Sequence, residues 1–137
     1  MKIVLDTNVL ISGLLSPYQA PGEIVRMVAS GALSVCYDAR ILAEYRDVLL
    51  RPKFGFEKRH IDDLLEQIQI CGHSTSSKPL AKALPDAADE AFLEVTIASG
   101  AAHLITGNLK HFPHIKHSGI QIVSPAKFIQ IFKPIDN

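Results

Sequence analysis

The sequence predicts an α/β fold with a mostly parallel sheet and helices on both faces. Two observations carry that expectation. Short apolar runs such as Ile3-Val4-Leu5 and His103-Leu104-Ile105-Thr106 have the length and branched makeup of buried strands. Between such runs lie stretches with apolar residues at helical spacing, and strands that alternate with helices build parallel sheets.

Taken in order, the first strand is Ile3-Val4-Leu5, bounded by Lys2 and Asp6. Pro21 to Ser30 is a helix, with proline in its first turn and Gly31 as its stop. Leu33 to Tyr37 is a second strand. Asp38 stands as the N-cap of a helix to Leu50, which Arg51-Pro52 ends. Glu57 to Cys71 is the next helix, because Ile61, Leu64, Leu65 and Ile68 fall at i, i+3, i+4 and i+7. Gly72 stops it, and the polar, proline-bearing residues 73–85 are expected to be loop. Ala88, Ala91, Phe92 and Val95 repeat the helical spacing up to Gly100. His103 to Thr106 is a third strand, 107–119 a loop and Ile120 to Val123 a fourth strand. Ser124-Pro125 caps a last helix through Phe132. In such sheets ligands bind beyond the carboxyl ends of strands, which points at Asp6 and at Thr106-Gly107-Asn108.

The chain has 137 residues, one domain's worth, and no repeat or linker that would divide it, so residues 1–137 are expected to form a single domain. Apolar residues make up 47% and charged residues 20%, a globular balance rather than a disordered one. Fourteen basic residues match fourteen acidic ones, which excludes a strongly basic nucleic-acid coat protein but not a local basic groove. Cys36 and Cys71 fit neither a disulfide framework nor a thiolate metal site and are expected to be reduced and buried. No apolar run approaches the roughly 20 residues of a membrane span. Asp6 comes too early for a signal peptide, so a cytoplasmic location is the default expectation.

Acids stand where apolar residues are expected. Asp6 lies between Ile3-Val4-Leu5 and Val9-Leu10-Ile11. An unpaired buried carboxylate costs several kcal/mol, so a partner is needed, and Thr7 and Asn8 are the nearest candidates. A cap for a short following helix is the competing explanation. Glu44 completes the i, i+3, i+4, i+7 set with Ile41, Tyr45 and Val48, so an acid points to the apolar side of its helix; pairing with Arg40 one turn earlier is the alternative. Asp86 and Asp89 open a helix as Asp-x-x-Asp, where a cap and a first-turn acid are both ordinary. Jointly, separated acids converging near strand ends would make a hard-oxygen site suited to Mg²⁺ or Mn²⁺.

His111, His114 and His117 invite a zinc reading, but Pro113 breaks the helix that would align them and no cysteine is near. With Lys110 and Lys116, the stretch from 110 to 117 is locally basic around Phe112, which suits either a solvated loop or contact with a phosphate backbone.

Three groups of residues, in order, then carry a family resemblance: Lys2 to Ser12 at the start; Ile41-Leu42-Ala43-Glu44-Tyr45; and Asp86-x-x-Asp89-x-x-Phe92-Leu93-Glu94 followed by Ser99-Gly100-Ala101 and Leu104-Ile105-Thr106-Gly107-Asn108. From Met1 to about Ser124 the chain resembles the PIN-domain family, and within it the toxin components of bacterial and archaeal toxin–antitoxin pairs. The resemblance implies a three-layer α/β/α fold with a mostly parallel central sheet of four to five strands. It implies an endoribonuclease that binds Mg²⁺ or Mn²⁺ through an acid cluster and hydrolyses RNA phosphodiester bonds. The matching positions are Asp6, Glu44 and Asp89, with Asp86 as a further acid and Thr106 and Asn108 in support; His111 stands where another acid sometimes follows. Asn8, beside Asp6, is a further supporting candidate, and Lys110 and Lys116 are candidate RNA contacts by their local basic charge. A cognate antitoxin, commonly with an arginine reaching the carboxylates, and a homodimer are the partners it implies. Asn108 stands where the family often has a fourth acid. It supplies no charge, so one tight metal is expected rather than two. A module of the same fold that binds RNA or a protein without cleaving is the alternative.

Overall fold

The computed structural model describes residues 1–113 and 119–133. Its elements, in chain order, are β1 (Lys2–Leu5), α1 (Thr7–Leu15), α2 (Ala20–Ala29), β2 (Ser34–Tyr37), α3 (Ala39–Leu49), α4 (Lys58–Cys71), β3 (His73–Ser74), α5 (Glu90–Ser99), β4 (His103–Ile105), β5 (Gln121–Val123) and α6 (Pro125–Phe132). Single 3₁₀ turns lie at Pro52–Phe54, Ala87–Asp89 and Leu109–His111. The five strands form one sheet in the order β3-β2-β1-β4-β5, and every pairing is parallel. This is a three-layer α/β/α arrangement. Moving from β1 through β2 to β3 and then back to β4 reverses the direction of winding. Right-handed crossovers therefore put α2 and α4 on one face and α5 on the other.

β1 is central, which explains its sequence. Ile3, Val4 and Leu5 are fully buried because both faces of the strand are covered. The predicted caps are present: Asp38 accepts from the Ile41 amide at 3.0 Å, Asp86 from Ala88 at 2.9 Å and Ser124 from Lys127 at 3.1 Å. Gly31 and Gly100 end their helices with positive φ. α4 buries the predicted stripe of Ile61, Leu64, Leu65 and Ile68.

Three expectations need correction. The element after Asp6 is a full helix, α1, whose Gly13 lets it lie against α2; a Cβ there would stand 2.6 Å from the Pro21 carbonyl oxygen. Residues 73–85 are not all loop, since His73 and Ser74 add a fifth strand beside Cys36 and Tyr37. That strand is two exposed polar residues at a sheet edge, which leaves no apolar signature. Of the two free cysteines, Cys36 is buried but Cys71, at the end of α4, is only partly so.

Candidate active site

The sheet order reverses between β1 and β4, and it is there that a parallel sheet opens a crevice beyond its carboxyl ends. Register then decides which residues meet. Leu5 is the parallel partner of Ile105, so the residues that follow them, Asp6 and Thr106, emerge side by side. The Asp6 amide still bonds the Ile105 carbonyl at 2.9 Å. The Thr106 hydroxyl, fully buried, donates to Asp6 Oδ2 at 2.7 Å. The Asn108 amide in turn donates to Thr106 Oγ1 at 3.1 Å. This is what holds a carboxylate that is only 4% exposed.

The compensation expected from Thr7 and Asn8 is therefore supplied by Thr106. Asp6 occupies the N-cap position of α1, yet its side chain makes no capping bond. The Thr7 hydroxyl donates to Glu44 Oε2 instead, tying α3 to the start of α1. Asn8 is exposed and belongs to none of these bonds among the described residues. Glu44 does not pair with Arg40. That guanidinium bonds Asp38 at 2.7 Å and Glu94 at 2.8 Å, which frees Glu44 for the crevice side. α3 is seated by its next residue, because the buried Tyr45 hydroxyl donates to the Leu5 carbonyl at 2.5 Å. Burial, followed by the charges of Asp6 and Glu44, pushes the Tyr45 phenol well up, so it stays a donor.

Asp89 ends the 3₁₀ turn before α5 and is buried at 7% exposure, with no hydrogen-bond partner for its Oδ2 among the described residues. His111 Nδ1 approaches that oxygen at 3.1 Å without the alignment of a hydrogen bond. Nε2 of the same ring lies 2.8 Å from Asn108 Nδ2. With the Asn108 amide as donor, Nε2 accepts and the ring proton sits on Nδ1, facing Asp89. Burial lifts the Asp89 carboxyl to about 6; His111 opposes the rise, and the charges of Asp6, Asp86 and Glu44 add to it.

The structure thus links Asp6, Thr106, Asn108, His111 and Asp89 in one run of contacts, with Glu44 attached through Thr7. Asp86 is exposed at the rim and engaged as a cap. Lys110 is exposed on the turn that carries His111. Lys116, His114 and His117 lie outside the described residues. Sequence reasoning missed two contributors. The histidine spacing and the basic stretch around His111 do not reveal its partner, which is an acid from another element. Tyr45 was an apolar-stripe residue whose hydroxyl bond to β1 left no local signal.

Among the described residues, no group of three or more His, Cys, Asp or Glu side chains is arranged to hold a metal ion directly. The donor set nevertheless fits a hard divalent ion by its chemistry. It consists of carboxylate oxygens, one of them buried without a partner among the described residues, in a place where burial, with repulsion from the neighbouring acids added, holds a carboxyl protonated to about 6. A cation relieves that repulsion, and magnesium usually retains several waters rather than demanding an all-protein cage.

An acid-lined crevice at the switch point of a parallel α/β sheet is the architecture of a hydrolytic or ligand-binding site. Comparison with known families makes this specific: the family model described as PIN domain matches residues 2–110, and the chain belongs to the PIN-domain family. That identifies a nuclease fold. A search of curated proteins returns no significant match.

Proposed function

We propose that this protein is a Mg²⁺- or Mn²⁺-dependent endoribonuclease that acts as the toxin of a toxin–antitoxin pair. The observation that supports it most is the convergence of Asp6, Glu44 and Asp89 from three separate elements on one crevice. Asp6 and Asp89 would hold the ion, directly or through water. Bound there, a divalent ion lowers the pKa of water and offsets charge on the phosphoryl oxygens. Thr106 fixes the rotamer of Asp6, so one carboxylate oxygen is committed and the other is left for ligand. Glu44 orients the attacking water and takes its proton at the carboxylate oxygen not held by Thr7. Asn108 holds the His111 ring with its Nδ1 turned to Asp89, and the second N–H of the Asn108 side chain would orient the scissile phosphate. Lys110, and Lys116 beyond it, would contact the RNA backbone.

Three carboxylates carry −3 against +2 for one ion and +4 for two, so we expect one tight metal. Manganese titration by calorimetry tests this: a stoichiometry of one supports it, and two equally tight ions contradict it. Among the described residues no helix is long and apolar enough to cross a membrane, which is compatible with a cytoplasmic site of action. The antitoxin we expect would place a basic side chain among these acids. The exposed apolar side chains of Leu15 and Tyr18 support a homodimer.

A second reading, a module that binds RNA or a protein without turnover, is favoured by two observations: Asn108 brings no charge, and no three-acid cage is preformed among the described residues. RNA binding without metal-dependent cleavage is its signature.

A further inference from the structure

A cavity of about 250 Å³ lies between α3 and the entry to α5. It is smaller than the roughly 300–1,000 Å³ of sites for drug-sized ligands, so it suits a single ring system. Its polar walls are Arg40, Glu44 and Glu90; Ala88, Ala91 and Phe92 are among its apolar ones. Glu44 belongs both to this cavity and to the acid crevice, so whatever enters is next to the reacting bond.

The state of Arg40 decides what can enter. Nε and Nη2 donate to Asp38 Oδ2 at 2.9 and 2.7 Å, Nη2 reaches Ser77 Oγ at 3.2 Å, and Nη1 stands 2.8 Å from Glu94 Oε1. All three guanidinium nitrogens are thus occupied at their edges, while the side chain remains 53% exposed. A phosphate would need those edges, and it would meet Glu44 and Glu90 as like charges. What remains available is the flat face of a guanidinium held rigid by two carboxylates. Such faces stack on unpaired bases. The small alanines of the lining leave room for a flat ring, and the polar walls suit the polar edge of a base better than an aliphatic side chain.

We propose that this cavity receives one unstacked RNA base flanking the cleaved bond, held against the face of Arg40, and that it sets the sequence preference at that position. The proposal rests on RNA being the substrate. The test uses short RNAs with 2-aminopurine at each position in turn, in Ca²⁺, and reads the rise in fluorescence when the base leaves its stacked neighbours. Metal-dependent cleavage of unlabelled RNA is measured in parallel. Ala88→Leu fills the cavity from an exposed position, and Ala91→Leu is a second filling variant. The expected result is a strong rise at one position with the wild type. Both variants should lose it, with affinity about tenfold to a hundredfold weaker and a relaxed cleavage pattern. Cleavage by the wild type without a rise, or an equal rise with both variants, overturns the cavity assignment alone. A rise lost in the variants, with no cleavage by any form, upholds the cavity and overturns the nuclease reading. Neither a rise nor cleavage overturns both.

Discussion

The two buried acids of the crevice are kept in opposite ways. Asp6 leaves a central strand whose register with β4 delivers a threonine hydroxyl to its carboxylate at 2.7 Å. Asp89 ends a 3₁₀ turn, and among the described residues its buried Oδ2 has no hydrogen-bond partner, only a misaligned histidine at 3.1 Å. The first is a finished piece of the fold. The second is unfinished, and burial with the surrounding acids holds its carboxyl up at about 6. The difference teaches where ligand energy is to be spent. The sheet positions one half of the site in advance, and the proposed cation would complete the other half.

Chemistry gives the largest effects that can break this comparison. Glu44→Gln keeps the bond to Thr7 possible but removes the proposed base, and cleavage should fall about a hundredfold or more, as general-base catalysis is worth roughly 10²–10⁴. Full activity in that variant, measured by single-turnover RNA cleavage, contradicts the role given to Glu44. Next comes the finished half. Tyr45→Phe deprives the Leu5 carbonyl of its buried donor and should lower stability by about 1–3 kcal/mol in chemical denaturation. A change near zero would mean that α3 is seated by packing alone.

The unfinished half predicts a gain. Asp89 has a folded pKa of about 6 against an ordinary 3.8, so the folded metal-free protein binds more protons than the unfolded chain between those values. Stability from this group is therefore present at low pH and is lost as pH rises through about 6. Asp89→Asn should raise the Tm of the metal-free protein at pH 7 and abolish cleavage, a gain of stability at the expense of function. A lower Tm at pH 7 without metal would show that Asp89 is already satisfied.

The smallest effect belongs to His103. Burial holds this ring below the ordinary 6.5, with Nδ1 unpartnered and Phe128 edge-on at 5.4 Å. The unfolded chain takes up its proton first, so this contribution is full above 6.5 and is lost as pH falls. Its slope opposes that of Asp89. His103→Gln should flatten the acid side of a Tm–pH profile, and an unchanged profile would remove His103 from the account.

Much of this was legible in the sequence because it is local. β1 reads as a branched apolar run, α4 as a stripe, and Asp38 and Ser124 as caps. Asp6 and Glu44 stood out as charges among apolar neighbours. What was not legible depends on register and on distant pairs. Nothing near Asp6 announces Thr106, one hundred positions away. Arg40 beside Glu44 suggested a helical pair, and the choice of Asp38 and Glu94 follows from the docking of α3 against α5. The strand at His73–Ser74 carries no apolar pattern because an edge strand of two exposed residues needs none.

Whether these acids form a metal-dependent ribonuclease site is decided by cleavage of a mixed RNA panel by the purified protein in Mn²⁺, Mg²⁺ or EDTA, beside Asp6→Asn prepared identically. The expected result is cleavage that needs the metal and vanishes in the variant. Cleavage that survives in Asp6→Asn, or its absence from the wild type under every metal condition, contradicts it.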